Sequence, residues 1–383
     1  MRVIHVITRL IVGGAQENTI ASVLGLLARP GFDVTLVTGP SPPGEGTLAP
    51  SLAGCPDRLS VLTPLIRPPH PLRDLQALRQ LTCLFTRARP DLVHTHSGKA
   101  GVLGRWAAHR ARVPVIVHTI HGPSFGPFQG CLSNTVFRAA ERFAGRFTTH
   151  FVSVADAMTQ QYLAASIGRP EQYTHIASGF PLEPFLQTSN DPALRRELGL
   201  APDDIVLGKI ARFCPLKGHD ELFEAAPGLV RECPRLKFLL VGDGPWRPRF
   251  EALAARLGLA NRFRFTGLVP PDRVPAMVGI MDLLVHLSRR EGLPRVLPQA
   301  LCAARPVVAC DCDGAGEVCL DGQTGFLVRP GDRSQLVAQV LRLARDPALR
   351  ESMGRRGQDF VRRHFAVEKM LDELATLYLR LSA

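Results

Sequence analysis

Lysine, tyrosine and tryptophan are scarce in this 383-residue chain, and each shortage excludes something. Three tyrosines and two tryptophans leave few rings for stacking bases, and no run of five like charges makes an electrostatic track. Although the formal charge is +12, these shortages speak against nucleic acid as the anionic partner that such an excess implies. No uninterrupted apolar stretch reaches the ~18 residues of a membrane-spanning helix. The opening MRVIHVI is too brief for the apolar core of a secretory signal. The nine cysteines are odd in number and lack the paired C-x-x-C spacing of zinc sites. Reduced thiols in a cytoplasmic protein are expected, with Cys310, Cys312 and Cys319 as small packing residues.

Short apolar runs alternate with longer amphipathic segments throughout. Strands are predicted at 2–8, 33–39, 59–63, 92–96, 113–121 and 150–154, with helical patterns such as 16–28 and 100–111 between them. β-Branched runs separated by helices indicate a parallel sheet covered on both faces, a doubly wound α/β domain. A second series follows at 205–212, 236–244, 262–267, 283–288, 306–310 and 325–328. The two series are separated by the polar, Pro-rich middle of residues 178–204, which reads as a linker. The predicted organisation is therefore 1–185, 186–355 and a helical segment 356–383. Two such sheets side by side leave a cleft faced by strand C-terminal ends and helix N-termini, where open α/β sheets bind ligands.

Three stretches carry chemistry. IVGGAQEN (11–18) turns from the first strand into the first helix. Gly13 and Gly14 there either let backbone N–H groups approach an anion or serve a tight turn needing positive φ. The spacing is not G-x-G-x-x-G and no acid ends the next strand, which argues against a nicotinamide dinucleotide. In IARFCPLKGHDEL (210–222), Arg212 ends a strand and Lys217 precedes Gly218 and a helix. Two such cations either grip a diphosphate and neutralise it as it leaves, or form a solvated pair. Only five of the 46 basic residues are lysines, so keeping one at 217 favours a compact ammonium. In EGLPR, Glu291 stands beside the N–H groups of Gly292 and Leu293, a set that suits a polyol; a bland reading is macrodipole compensation.

These segments, with THSGKAGVLGR (95–105), VIVHTIHG (115–122), LLVGDGPWR (239–247) and EGLPRVLPQALCAARPVVA (291–309), resemble the family-four retaining glycosyltransferases of GT-B fold. The resemblance runs in order from about residue 3 to 365. It implies a first domain mainly for the acceptor and a second mainly for a nucleoside-diphosphate sugar. It assigns Gly13 and Gly14 to the loop that meets the donor diphosphate, and Arg212 and Lys217 to its clamp. Glu291, with the amides of Gly292 and Leu293, would grip the transferred sugar, and His121 would lie near it. The last helix would cross back onto the first domain. One position departs: the family places a second glutamate eight residues after the first, on the ribose hydroxyls, and this chain has Gln299. Its amide keeps an acceptor and donors but loses the charge, at roughly 1 kcal/mol.

The resemblance further implies front-face transfer with retained configuration, no cofactor and no metal, with fixed cations in the metal's place. Asp311-x-Asp313 only superficially resembles a metal-binding D-x-D. Nine of the twelve histidines precede residue 185, and for any one of them a hydrogen-bonded core position is the default. Lys99 either meets an acceptor phosphate or is a solvated helix start. The basic stretch FRAAERFAGRF (137–147) suits an anionic membrane and a polyprenyl-phosphate-linked glycan acceptor at the inner face of the cytoplasmic membrane. Two other readings stay open, a GT-B nucleotide-sugar epimerase or hydrolase and a non-catalytic nucleotide-sugar-binding homologue.

Overall fold

The structure is a computed structural model and describes residues 1–42, 45–126 and 128–383. The chain forms two compact units, one of Met1–Phe180 with Val367–Ala383 and one of Pro181–Ala366.

The first unit holds seven strands: β1 (Arg2–Ile7), β2 (Asp33–Thr38), β3 (Leu59–Val61), β4 (Leu92–His96), β5 (Val115–Ile120), β6 (His150–Ser153) and β7 (Tyr173–His175). They lie in the order β3-β2-β1-β4-β5-β6-β7, every pairing parallel. The second unit holds β8 (Ile205–Ile210), β9 (Leu236–Val241), β10 (Phe263–Gly267), β11 (Leu283–His286), β12 (Val307–Cys310) and β13 (Gly325–Val328), ordered β10-β9-β8-β11-β12-β13 and again all parallel. Two doubly wound α/β units of GT-B type result. The short β7 lies outside the series read from the sequence. Its three residues are polar or aromatic and incompletely buried, so they give no apolar run.

The central strands β4 and β5 are buried along their whole length, as strands in a sheet covered on both faces must be, and β4 takes His94, Thr95 and His96 into the interior with it. In each sheet the order reverses once, between β1 and β4 and between β8 and β11. At such a switch point the neighbouring loops part, opening a crevice at the strands' carboxyl ends. The loops after β1, β4, β8 and β11 carry most of the residues singled out above.

The closing helix Val367–Ser382 packs on helix Gly14–Leu27 of the first unit. A Cβ at Gly25 would lie 2.2 Å from Leu371 Cδ1, so only glycine lets these helices approach so closely. Arg29 donates to Asp372 at 2.6 Å at the rim, and Tyr378 is fully buried beneath.

Candidate functional site

In the second unit the loop after β8 is shaped by two left-handed residues, Leu216 at φ 68 and Gly218 at φ 66. Gly218 is required, because a Cβ there would sit 2.0 Å from the Leu287 carbonyl oxygen. Between them stands Lys217, whose Nζ donates to Glu291 Oε1 at 2.5 Å. Both side chains are about a quarter exposed. The switch point thus brings the two sequence-separated candidates into one ion pair.

Glu291 is held from behind. Its N–H donates to Asp313 Oδ2 at 2.8 Å, and the Gly314 N–H donates to the Gly292 carbonyl at 3.1 Å. Asp313 reaches this position at φ 50, a conformation that aspartate tolerates better than most residues. Burial raises the Glu291 carboxyl, but the charge and hydrogen bond of Lys217 oppose it, and the group lies below the usual carboxylate range. His286 lies 3.8 Å away, and burial drops its pKa to about 3. That ring is therefore neutral near neutral pH, and Lys217 is the charge that acts on Glu291.

The N–H groups of Gly292 and Leu293 donate to no residue among those described. Gln299 lies in helix Val296–Cys302 and is 9% exposed, and its side-chain amide makes no hydrogen bond among the described residues. Arg212, partly buried, follows β8 by two residues. Near the Lys217–Glu291 pair, toward the end of β8, Lys209 is 1% exposed and its Nζ has no partner among the described residues. Burial, with help from Lys217, lowers its pKa to about 7 against the opposing pull of Glu221 and Glu291. A cavity of about 430 Å³ is lined in part by Leu216, Gly218, Glu221, Trp246, Leu287 and Arg289, but not by Arg212, Lys217, Glu291 or Gln299. It neighbours the Lys217–Glu291 pair without being part of it.

In the first unit, Gly13 is extended at φ 171 and Gly14 opens the helix without positive φ, which removes the tight-turn reading of that corner. A Cβ at Gly13 would crowd only the mobile end of Gln16, at 2.9 Å, so the fold itself makes little demand for glycine there. Lys99 is committed to structure: its Nζ donates to the Pro68 carbonyl at 2.5 Å and to Asp74 at 2.6 Å.

His121 follows β5, its Nε2 3.0 Å from His96 Nδ1. Behind it lie His96, His5 and His94, all 0–1% exposed, together with Tyr378. Ring nitrogens of His5, His94 and His96 fall within 4.8 Å of one another. The rings are stacked or tilted at centroid distances of 4.3–5.1 Å rather than converging on a point, and their nitrogens bond to each other, to Thr119 and to Tyr378. The sequence reading placed such histidines in hydrogen-bonded core positions, as found, but not their meeting in one cluster, and it named Asp313 only as half of a D-x-D without its contact to the Glu291 N–H. The available signal was the two-residue spacing of His94 and His96, which puts both on one face of β4.

Comparison with known proteins identifies the lineage. Residues 190–360 match the family "Glycosyl transferases group 1" and residues 14–179 match "Glycosyl transferase 4-like domain". A UDP-Gal:alpha-D-GlcNAc-diphosphoundecaprenol alpha-1,3-galactosyltransferase of Escherichia coli is 26% identical over 99% of this chain and 97% of its own. A GDP-mannose-dependent alpha-(1-6)-phosphatidylinositol monomannoside mannosyltransferase of Mycolicibacterium smegmatis is 30% identical, with 68% of each chain covered. Anabaena HepE in its crystal structure with UDP-glucose superposes with a TM-score of 0.82 at 25% identity, covering 98% of this chain and 99% of that one.

Proposed function

The chain belongs to the group 1 glycosyl transferases, and from that premise we propose that it moves a sugar from a nucleoside-diphosphate donor to a lipid-linked glycan, retaining the anomeric configuration and using no metal. The observation that carries this reading is the Lys217–Glu291 pair at the β8/β11 switch point, beside the undonated N–H groups of Gly292 and Leu293. A sugar hydroxyl both donates and accepts, and a carboxylate flanked by free N–H groups answers both needs. Lys217 and Arg212, with the N-terminus of helix His219–Glu232, supply fixed positive charge for a departing diphosphate. The side-chain amide of Gln299, without a hydrogen bond among the described residues, is assigned to the ribose. Gly13 and Gly14 are assigned to the diphosphate and His121 to the transferred sugar.

No carboxylate among these groups stands as an evident covalent nucleophile, which favours front-face transfer. The departing phosphate oxygen then takes the acceptor's proton. The Escherichia coli relative's name includes a UDP-sugar and a diphosphoundecaprenol acceptor, and HepE was crystallised with UDP-glucose. Both support a UDP-sugar donor, and the Escherichia coli relative's name supports a lipid-diphosphate acceptor. No helix of the described residues is long and apolar enough to cross a membrane. Helix Cys131–Gly145 exposes Leu132 and Val136 beside Arg138, a pattern that supports docking on an anionic leaflet from the cytoplasmic side.

A thermal-shift screen against UDP-, GDP- and ADP-sugars tests the donor, followed by transfer to a polyprenyl-diphosphate glycan with and without EDTA. Stabilisation by one nucleotide class and EDTA-insensitive transfer are expected. Stabilisation by none, or transfer abolished by chelation, overturns the reading.

A further inference from the structure

Near the Lys217–Glu291 pair, Lys209 Nζ, His219 Nδ1 and His286 Nε2 stand without a hydrogen-bond partner among the described residues. They come from three elements of the second unit: Lys209 lies in β8, His219 opens helix His219–Glu232, and His286 ends β11. All three residues are buried. A buried polar nitrogen left unpaired costs free energy, so three in one neighbourhood ask for a physical reason.

Neither ring supplies charge. Burial, helped by Lys209 and Lys217, brings His219 down to about 2, and His286 lies at about 3. The acids within reach are taken by other cations: Glu291 receives Lys217, and Glu221 is paired with Arg289. Cys310, at the end of β12, is pushed up to about 11 by burial, so its thiol is neutral. Across the ladder to β9, Lys209 faces Leu240. The amine therefore meets one cation, two committed carboxylates, neutral rings and apolar strand. Burial first and Lys217 second loosen its hold on a proton, to a pKa of about 7.

An anion reverses this balance. Lys217 disfavours charge on Lys209, and an anion seated on Lys217 acts from the same side with the opposite sign. Screening is weak around a buried amine, so the effect is large. Each neutral ring can hold its unpartnered nitrogen bare, and an ammonium with three N–H groups is the form of Lys209 that suits such acceptors.

We infer that Lys209 is a reserve cation of the donor site: its amine takes up a proton from solvent when a diphosphate is seated on Lys217, and the ammonium adds to the positive charge against which that diphosphate departs. The inference rests on the transferase reading, which puts the diphosphate there. The step is an amine plus a solvent proton giving an ammonium, with no other bond made or broken. Lys209 is a positioning residue, acting through its field on Lys217 and the anion.

Titration calorimetry of the full chain with UDP-glucose, and with GDP- and ADP-glucose in parallel, tests this in buffers of different ionisation enthalpy, which count the protons taken up per nucleotide bound. Both phosphates of these probes are esterified and hold no proton that titrates near neutral pH, so any uptake belongs to the protein. At about pH 8 the wild type should take up close to one proton; at about pH 6, where Lys209 is already charged without ligand, it should take up little. Lys209→Met should bind the same nucleotide at pH 8 with almost no uptake. Binding without uptake at pH 8, uptake no greater at pH 8 than at pH 6, or undiminished uptake in Lys209→Met each overturns the inference and leaves the transferase reading standing. Should that variant fail to fold, the two wild-type measurements decide. Binding of none of the three nucleotides overturns the transferase reading, and the reserve cation falls with it.

Discussion

Lys217 Nζ and Glu291 Oε1 stand 2.5 Å apart, joining the loop after β8 to the loop after β11. The sequence suggested separate tasks for them, one on phosphate and one on sugar. Their contact makes the two assignments interdependent, since each side chain holds the other in place. Arg212 could not substitute for Lys217 here with the same geometry, because a guanidinium is a broad planar fork and an ammonium a point charge.

Lys217→Met should therefore lower kcat for sugar transfer by about 10²–10³, the scale seen when one donor to a developing anion is removed. KM should change less, because the charge on the diphosphate is greatest as the bond breaks. Steady-state kinetics with the donor identified by thermal shift checks this. Transfer near the wild-type rate removes Lys217 from the clamp.

Gln299→Glu restores the charge that the family resemblance leads one to expect. The side chain already sits in helix Val296–Cys302 with no intramolecular hydrogen bond among the described residues, so no structural contact is lost. Nucleotide affinity should rise by roughly fivefold, equivalent to about 1 kcal/mol, as a ribose hydroxyl donates to a carboxylate instead of an amide oxygen. Titration calorimetry with the free nucleoside diphosphate measures it. Unchanged or weaker binding places the ribose elsewhere.

The two parallel sheets were legible because runs rich in β-branched residues, such as VIHVI (3–7) and VIVHTI (115–120), are buried on both faces and stand out against the amphipathic helices between them. The loops were legible only in part. Arg212, Lys217 and Glu291 could be read as candidates from residue type and position, but the pairing of Lys217 with Glu291 depends on β8 lying beside β11, a relation between residues 70 and more apart. Asp313 looked like half of a metal motif, because its left-handed backbone, which turns the carboxylate toward the Glu291 N–H, leaves no mark in composition. The histidine cluster needed the register as well: His5 pairs with His94 across β1 and β4, and Tyr378 arrives from the other end of the chain. At Gly13 a positive-φ turn was a fair reading of two glycines, and the extended backbone removes it.

Lys209 should make stability depend on pH above neutrality. Its folded pKa of about 7 lies below the ~10.4 of an unfolded lysine, so between those values the unfolded chain binds a proton that the folded chain does not. This group's destabilising effect is thus full below about pH 7 and fades as pH rises toward 10. Lys209→Met, similar in length and uncharged, should raise Tm at pH 7 and flatten that slope. Thermal denaturation from pH 7 to 10 tests both. A variant less stable than wild type at pH 7 means that the amine has a stabilising partner in the folded protein.

Arg105 and Glu141 form an ion pair at 2.5 Å with side chains 0% and 1% exposed, linking helix Gly98–Arg110 to helix Cys131–Gly145. Ser124 donates to the second carboxylate oxygen at 3.0 Å, and Arg105 also donates to the Gly101 carbonyl at 2.8 Å and to Thr148 at 3.3 Å. With so many of its hydrogen-bonding sites answered, the pair tolerates burial, but neither member tolerates the loss of the other. Arg105→Ala should destabilise the protein by about 3–5 kcal/mol, because a buried carboxylate is left without its cation. The paired change Arg105→Met with Glu141→Leu removes both charges and should recover most of that loss. Urea denaturation of the three proteins decides the matter. If the double variant is no more stable than the single one, the pair's hydrogen bonds, rather than the stranded charge, set the stability of this corner of the first unit.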